Sequence, residues 1–402
     1  MIFGLFREAR QLQPITAKEV GRDHGPPLHD EEAVIEEFEE GRGCASKSKE
    51  RIRLIASPAG SVNQHFSTRI RGWFWTGLGL GGFAMAEGFH SERAAVILAG
   101  GNGTGFGASP RAMAGEEVPQ QFCRLWGKHT LLEQTRHRAA LLLEPSRIMT
   151  VLTAKHVRFY EPLLSGMSDE QVAVQPLDRG TAPAILYGLM RLKKIAPDSA
   201  VVLFPSDYFV GDDGGFMRHV EAAFRAVDAR PEETILLGIE PTDPDPNYDW
   251  IEPGQFLTNQ CEPVRHVLRF WEKPAPGMAQ RLLLTGCLWN SFVVVARLST
   301  FLGLFLITLP ELYHAFTTIE SELGTSSEGA RVQRVYSRIS PANFSNEVLA
   351  RCPINLAVLQ VNGVQWSDLG EPRRVTKLLG TSGVHLPWDS TSIRAADGEG
   401  RT

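Results

Sequence analysis

The chain has little sulfur, and none of it is arranged to bind metal or to build a covalent framework. Its five cysteines, Cys44, Cys123, Cys261, Cys287 and Cys352, are scattered, with no CxxC pair and no histidine at metal-ligand spacing. That excludes a zinc module and a disulfide-stapled scaffold. There is no excess of positive charge either: 41 Lys plus Arg stand against 46 Asp plus Glu, a net charge of −5. Wrapping a nucleic acid depends on dense cations that displace counterions from phosphates, so no nucleic-acid partner is expected. No apolar run reaches the roughly 20 residues of a membrane span. The N-terminus lacks a basic region followed by the roughly 7–15 apolar residues of a secretory leader. The expectation is a cytoplasmic protein without stable membrane insertion, its cysteines reduced and buried.

What is present is an average globular composition, 43% hydrophobic and 22% charged over 402 residues, enough for one large domain or two. Residues 1–92 differ in texture from the rest. An acidic run (Asp30, Glu31, Glu32, Glu36, Glu37, Glu39, Glu40) precedes a basic one (Lys47, Lys49, Arg51, Arg53), and the charge-free segment 72–86 is rich in glycine and aromatics. This region reads as a partly disordered extension, and the tail 381–402 as disordered.

From Arg93 onward, short apolar runs alternate with amphipathic stretches, the pattern of a mostly parallel sheet with crossover helices. Strands are predicted at 94–99, 148–153, 172–176, 200–205, 234–241, beyond Val264 and at 291–296. Helices are predicted at 130–143, 183–195, 216–227 and 277–284, with a Pro-rich loop after 241 and a helical flank or lid over 298–345.

Ligands of such sheets bind beyond the carboxyl ends of strands. After the first strand comes Ala99-Gly100-Gly101-Asn102-Gly103-Thr104-Gly105, a glycine-rich turn whose backbone amides can approach phosphate oxygens unobstructed; a tight flexible turn is the plainer reading. It is neither a Walker A loop nor a GxGxxG dinucleotide fingerprint. Asp207 ends the strand AVVLFP, where a carboxylate can hold a divalent cation that bridges phosphates or can cap the next segment. Asp368 follows a second apolar stretch, 356–361, and two such strand-end aspartates could share one metal. Glu272 and Lys273 in RFWEKP, and Asn290 in GCLWNSF, put polar groups beside aromatics, which suits sugar hydroxyls and phosphate as well as an ordinary turn.

Taken in order, AVILAGGNGT, PQQF, RGTAPAI, FPSD, GIEPT with YDWIEPG, FWEKP, LWNSF and WSDLG resemble the successive signatures of the sugar-phosphate nucleotidyltransferases, specifically the mannose-1-phosphate guanylyltransferase group. The resemblance covers about residues 93–380. It implies a Rossmann-like α/β nucleotidyltransferase fold, Mg²⁺, a nucleoside triphosphate (GTP) and a sugar 1-phosphate (mannose 1-phosphate) as substrates, and a homo-oligomer. It implies that Gly100, Gly101, Gly103, Thr104, Arg179, Gly180 and Thr181 hold the nucleotide. By the same resemblance Asp207 and Asp368 bind the metal, and Glu272, Lys273 and Asn290 hold the sugar phosphate. Asp207, Lys273 and Asp368 are then the catalytic set.

Three positions depart from the pattern. Gly105 stands where the resemblance implies a triphosphate-binding Arg, Gln120 where it implies a Lys, and Asp249 where it implies Gly. Since phosphoryl-type transfer is catalysed mainly by positioning and by cancelling charge, the first two losses raise an alternative: a catalytically weakened homologue that binds nucleotide sugar as a regulatory or scaffold subunit. Arg111 and Lys128 are candidate substitutes for the missing cations.

Overall fold

Apolar runs without polar interruption leave no face for water, and those at 94–98, 200–205 and 235–239 become buried strands. A computed structural model describes residues 92–101, 118–258, 262–371, 373–375, 377 and 378. The expected disordered extension and tail, the charge-free segment 72–86, and Gly103, Thr104, Gly105 and Arg111 lie outside the described residues.

Strands β1 (Arg93–Leu98), β2 (Ile148–Thr153), β3 (Val172–Gln175), β4 (Ala200–Pro205) and β6 (Thr234–Ile239) match the expected runs, with β5 (Tyr208–Val210) between β4 and β6. Downstream lie β7 (Trp250–Phe256), β8 (Val264–Trp271), β9 (Leu288–Arg297), β10 (Leu356–Val361) and β11 (Trp366–Asp368). Nine of them form one sheet in the order β3-β2-β1-β4-β9-β6-β10-β8-β7, and β5 and β11 form a separate pair. β1 to β4, β6 and β10 share one direction through parallel pairings or through β9, while β9 and β8 run against their neighbours. The sheet is thus the mostly parallel one expected, with two reversed strands that composition could not reveal.

The Pro-rich loop expected after 241 instead contains β7. It lies at the sheet edge, and its register slips on both sides of Pro253, because proline has no N–H to give the ladder. Pro253 and Gly254 interrupt the alternation that marks a strand, which is why the segment read as a loop.

Alternation of side chains along the strands divides the core in two. On one face Ala94, Val96, Met149 and Val151 pack against helix α2 (Thr181–Ile195) and, from 298 on, α5 (Leu298–Thr308), α6 (Pro310–Thr317) and α7 (Glu328–Tyr336). On the other, Ala95, Ile97, Ile148 and Leu152 pack against α1 (Leu131–Ala140), α3 (Asp213–Ala229) and α4 (Pro276–Leu284). α1 starts at a capping box in which Thr130 accepts from the Glu133 N–H and Glu133 from the Thr130 N–H, satisfying two donors that have no partner inside the helix. α2 presses so closely on the sheet that a Cβ on Gly188 would come within 2.8 Å of Val96 and Val151.

The 298–345 region is a packed flank: Phe301, Phe305, Phe316, Tyr336 and Phe344 are fully buried against α2. Its polar anchor is Glu328, buried, which accepts from the Tyr187 hydroxyl at 2.5 Å and from Arg191 on α2, and from the Gly324 N–H at 2.8 Å. The described cysteines, Cys123, Cys287 and Cys352, are free and buried. Among the described residues no helix is long and apolar enough to cross a membrane.

Removing one partner of a buried ion pair strands the other charge. Glu328→Ala, which leaves Arg191 uncompensated, should destabilise the protein by about 3–5 kcal/mol in urea unfolding. A loss below about 1 kcal/mol would show that this anchor is not structural.

Candidate active site

The carboxyl ends of β1, β2, β3 and β4 open on one edge of the sheet, and a chain of buried side chains fixes the backbone there. Ser206 donates to the Leu98 carbonyl at 2.6 Å. Thr153 donates to the Gly100 carbonyl at 2.7 Å, Gln175 donates to Thr153 at 2.9 Å, and the Tyr336 hydroxyl donates to Gln175 at 3.1 Å. A Cβ on Gly100 would meet the Gln175 amide at 2.2 Å and the Thr153 hydroxyl at 2.8 Å, so a side chain there would displace this hydrogen-bonded pair. The buried Gln121 amide donates to the carbonyls of Ala99 at 3.0 Å and Gly101 at 2.8 Å. Four polar side chains, Thr153, Gln175, Ser206 and Gln121, therefore hold the start of the glycine-rich turn; of these, Gln121 lies in the PQQF motif and Ser206 in FPSD, while Thr153 and Gln175 lie in none.

Arg179, Gly180 and Thr181 lie at the N-terminus of α2, clamped to residues 342–344. The Arg179 side chain donates to the Tyr336 carbonyl at 3.1 Å, and its own carbonyl accepts from the Ala342 N–H at 3.0 Å. Gly180 has φ +86°, and a Cβ there would meet the Ala342 carbonyl at 2.4 Å. The Thr181 hydroxyl accepts from the Phe344 N–H at 2.8 Å. That hydroxyl has a structural task whatever else it touches.

Asp207 and Asp368, 161 positions apart in the numbering, come together. β5 and β11 pair antiparallel with Tyr208 opposite Asp368, which sets the Asp368 carboxylate beside Asp207. Burial, and then the Asp368 charge, push the Asp207 carboxyl up to about 6. Asp368 accepts on Oδ1 from Arg374 and from the Gly370 N–H at 3.0 Å. Arg374 is a buried cation that sequence reasoning missed. It stacks over Tyr248 at 3.8 Å and donates to Asp245 at 2.9 and 3.2 Å, tying the 243–249 loop to the aspartate pair. Its only sequence signal was an Arg-Arg pair shortly after WSDLG.

The departure at Gln120 has a definite geometry. Its amide is buried and donates to the Asp207 carbonyl at 3.2 Å, holding the backbone of an acidic residue where a lysine would carry charge. Lys128 is exposed in the turn before α1. Glu272 is half-buried, Lys273 is exposed with φ +37°, and Asn290 is buried. Asn290 accepts from the Phe292 N–H at 3.1 Å and donates its own N–H to the Asp249 carbonyl at 2.8 Å. The Asp249 carboxyl is also pushed up to about 6, by burial first, with the Glu272 charge adding to it and Ser345 and Lys273 opposing.

The residues suit a hard divalent cation that keeps much of its own water. Among the described residues, both donors to the Asp368 carboxylate fall on Oδ1, which leaves Oδ2 for a cation. The two crowded carboxylates also repel, a cost that a cation relieves. Among the described residues no group of three or more metal-ligating side chains exists, so a dedicated protein cage is absent there. One or two carboxylates completed by water and substrate phosphates is the Mg²⁺ mode of binding.

The family description "Nucleotidyl transferase" matches residues 94–378. The xanthan biosynthesis protein XanB of Xanthomonas campestris is 30% identical over 209 residues, covering 52% of this chain and 42% of XanB. A mannose-1-phosphate guanylyltransferase of Klebsiella pneumoniae is 24% identical over 289 residues, 68% of this chain and 57% of the relative. The chain thus spans about half the length of these curated relatives. The crystal structure described as a mannose-1-phosphate geranyltransferase from Thermus thermophilus superimposes with a TM-score of 0.60 at 26% identity, covering 71% of this chain and 79% of that one.

A carboxyl raised in the folded state favours its protonated form. Its stabilising contribution is present below the ordinary value near 4 and is lost as pH rises through about 6. Above pH 7 Asp207 therefore carries a net cost. In EDTA, Asp207→Asn should stabilise the protein at pH 8 by about 1–3 kcal/mol and by almost nothing at pH 4. Equal effects at both pH values in thermal unfolding would contradict the assigned electrostatics.

Proposed function

The chain belongs to the nucleotidyl transferase family, and on that premise we propose that it forms a nucleotide sugar, GDP-mannose, and pyrophosphate from GTP and mannose 1-phosphate. The observation that carries the reading is the meeting of Asp207 and Asp368 at one strand-end site beside the glycine-rich turn. The choice of guanine and mannose is supported by the names of the relatives and by the motif series. A reducing, cytoplasmic setting agrees with Cys123, Cys287 and Cys352, the cysteines among the described residues, being free and buried.

In this reading a phosphate oxygen of mannose 1-phosphate attacks the α-phosphorus of the triphosphate in line. The new P–O bond forms as the α–β anhydride bond breaks, and pyrophosphate departs with the electron pair. No covalent enzyme intermediate is needed. Asp207 and Asp368 would hold Mg²⁺, which supplies positive charge against the phosphates when bound. The backbone at Gly100 and Gly101, held by Gln121 and Thr153, receives the triphosphate without side-chain obstruction. Gly103 and Thr104 follow in the glycine-rich sequence, and Arg179, Gly180 and Thr181 flank the nucleotide. Lys273 orients the sugar phosphate, and Glu272 and Asn290 hold the sugar. Fixing both reactants in line is itself a large part of the acceleration.

Gln120 commits its amide to the Asp207 backbone and brings no charge to the reacting phosphate, which is the observation behind the weakened-homologue alternative. A pyrophosphate-release panel of nucleoside triphosphates against sugar 1-phosphates separates the readings. GTP with mannose 1-phosphate should give the fastest release, and Asp207→Ala should lower it at least about a thousandfold. Release only by the double variant Gly105→Arg with Gln120→Lys would establish a decayed binding homologue. Release by neither protein with any pair would overturn the transferase reading.

A further inference from the structure

Asp249 stands where the resemblance implies glycine, and the sheet register places it at the centre of the residues assigned to the sugar. Trp250 pairs with Trp271 on one side and with Trp289 on the other. One step ahead of Trp250, Asp249 therefore lies across from Glu272 and beside Asn290. The Asn290 N–H on its carbonyl at 2.8 Å confirms the second neighbour, and the influence of the Glu272 and Lys273 charges on its carboxyl confirms the first.

The contact with Asn290 uses only the backbone, which glycine would supply equally; the carboxylate itself is held by the Ser345 side chain and the Lys273 backbone. The carboxylate is partly buried, and its Oδ1 is shut off from solvent without a hydrogen-bond partner among the described residues. A buried acceptor left unmade costs on the order of 1–3 kcal/mol, and a carboxylate beside Glu272 adds repulsion that Ser345 and Lys273 offset only in part. What bears on a ligand is the placement: between Glu272 and Asn290, Asp249 adds a second carboxylate to the proposed sugar site, its charge only partly offset there.

We propose that Asp249 is a specificity-determining residue for the sugar 1-phosphate: its carboxylate accepts hydrogen bonds from hydroxyls of a neutral hexose and repels a sugar that bears an acidic group. The inference rests on the assignment of the sugar to Glu272, Lys273 and Asn290. An ionised carboxylate is an acceptor only, so its complement must be a donor, and a neutral hexose offers several. With Lys273 occupied by the phosphate, Asp249 and Glu272 leave an excess of negative charge around the sugar ring. A uronic acid 1-phosphate would bring a third carboxylate to that place. A site built to hydrogen-bond a hydroxyl also discriminates strongly against an analogue that lacks it.

The test uses the full chain, with mannose 1-phosphate and glucuronic acid 1-phosphate as probes. Calorimetric binding and pyrophosphate release are both measured for wild type, Asp249→Asn and Asp249→Gly. Asp249→Asn keeps the shape and removes the charge; Asp249→Gly removes the side chain. For Asp249→Gly, the Kd and KM for mannose 1-phosphate should rise at least tenfold, with kcat and the KM for GTP changed less than twofold. The preference of wild type for mannose 1-phosphate over the uronate should fall at least tenfold in Asp249→Asn. Unchanged sugar affinity and preference in both variants would overturn the proposal. So would equal losses for sugar and nucleotide together with a lowered Tm, the mark of a merely structural residue. If wild type binds mannose 1-phosphate without turnover, the transferase reading fails while the Kd changes still decide the role of Asp249. If wild type binds no sugar 1-phosphate, both fail.

Discussion

Two carboxylates that repel each other are held side by side by a ladder only three residues long. Asp207 leaves β4, the most apolar strand of the sheet, and Asp368 closes β11; without the β5–β11 pairing nothing would bring them to one place. The surrounding structure offsets the cost of that proximity. Arg374 neutralises Asp368 from one side and is itself fixed by Asp245 and the Tyr248 ring. Gln120 secures the Asp207 backbone. Protein interiors accept unfavourable charge only where neighbours over-determine it, and here the neighbours come from three separate stretches of chain: Gln120, the 243–249 loop and Arg374.

The same constraint gives the departures at Gln120 and Asp249 different meanings. Gln120 exchanges a charge for a hydrogen bond that positions an acidic residue, so its contribution is to geometry. Asp249 adds a charge in a place already occupied by Glu272 and Lys273, so its contribution is to electrostatics and recognition. Arg374 joins the aspartate pair to the 243–249 loop that leads into β7.

Much of this was legible in the sequence. The long apolar runs at β1, β2, β4 and β6 and the amphipathic spacing of α1 to α4 determined two covered faces, since residues without a polar side have no other place to go. The ordered motifs pointed to the family and nominated the candidate site residues, because phosphate and metal chemistry demands particular side chains at strand ends. Strands interrupted by proline or only three residues long left no such pattern, and β5, β7 and β11 went unseen.

Only the tertiary structure decided which nominated residues meet. Long-range pairing between β5 and β11 united Asp207 with Asp368, and the register of β7 with β8 and β9 set Asp249 between Glu272 and Asn290. It also revealed that the Thr181 hydroxyl serves Phe344 and that Gln121, Thr153 and Gln175 hold the turn. Such contacts depend on register between segments far apart in the chain. Composition and spacing report the local burial and turn preferences of a segment, whereas register is selected by the packing of the whole sheet.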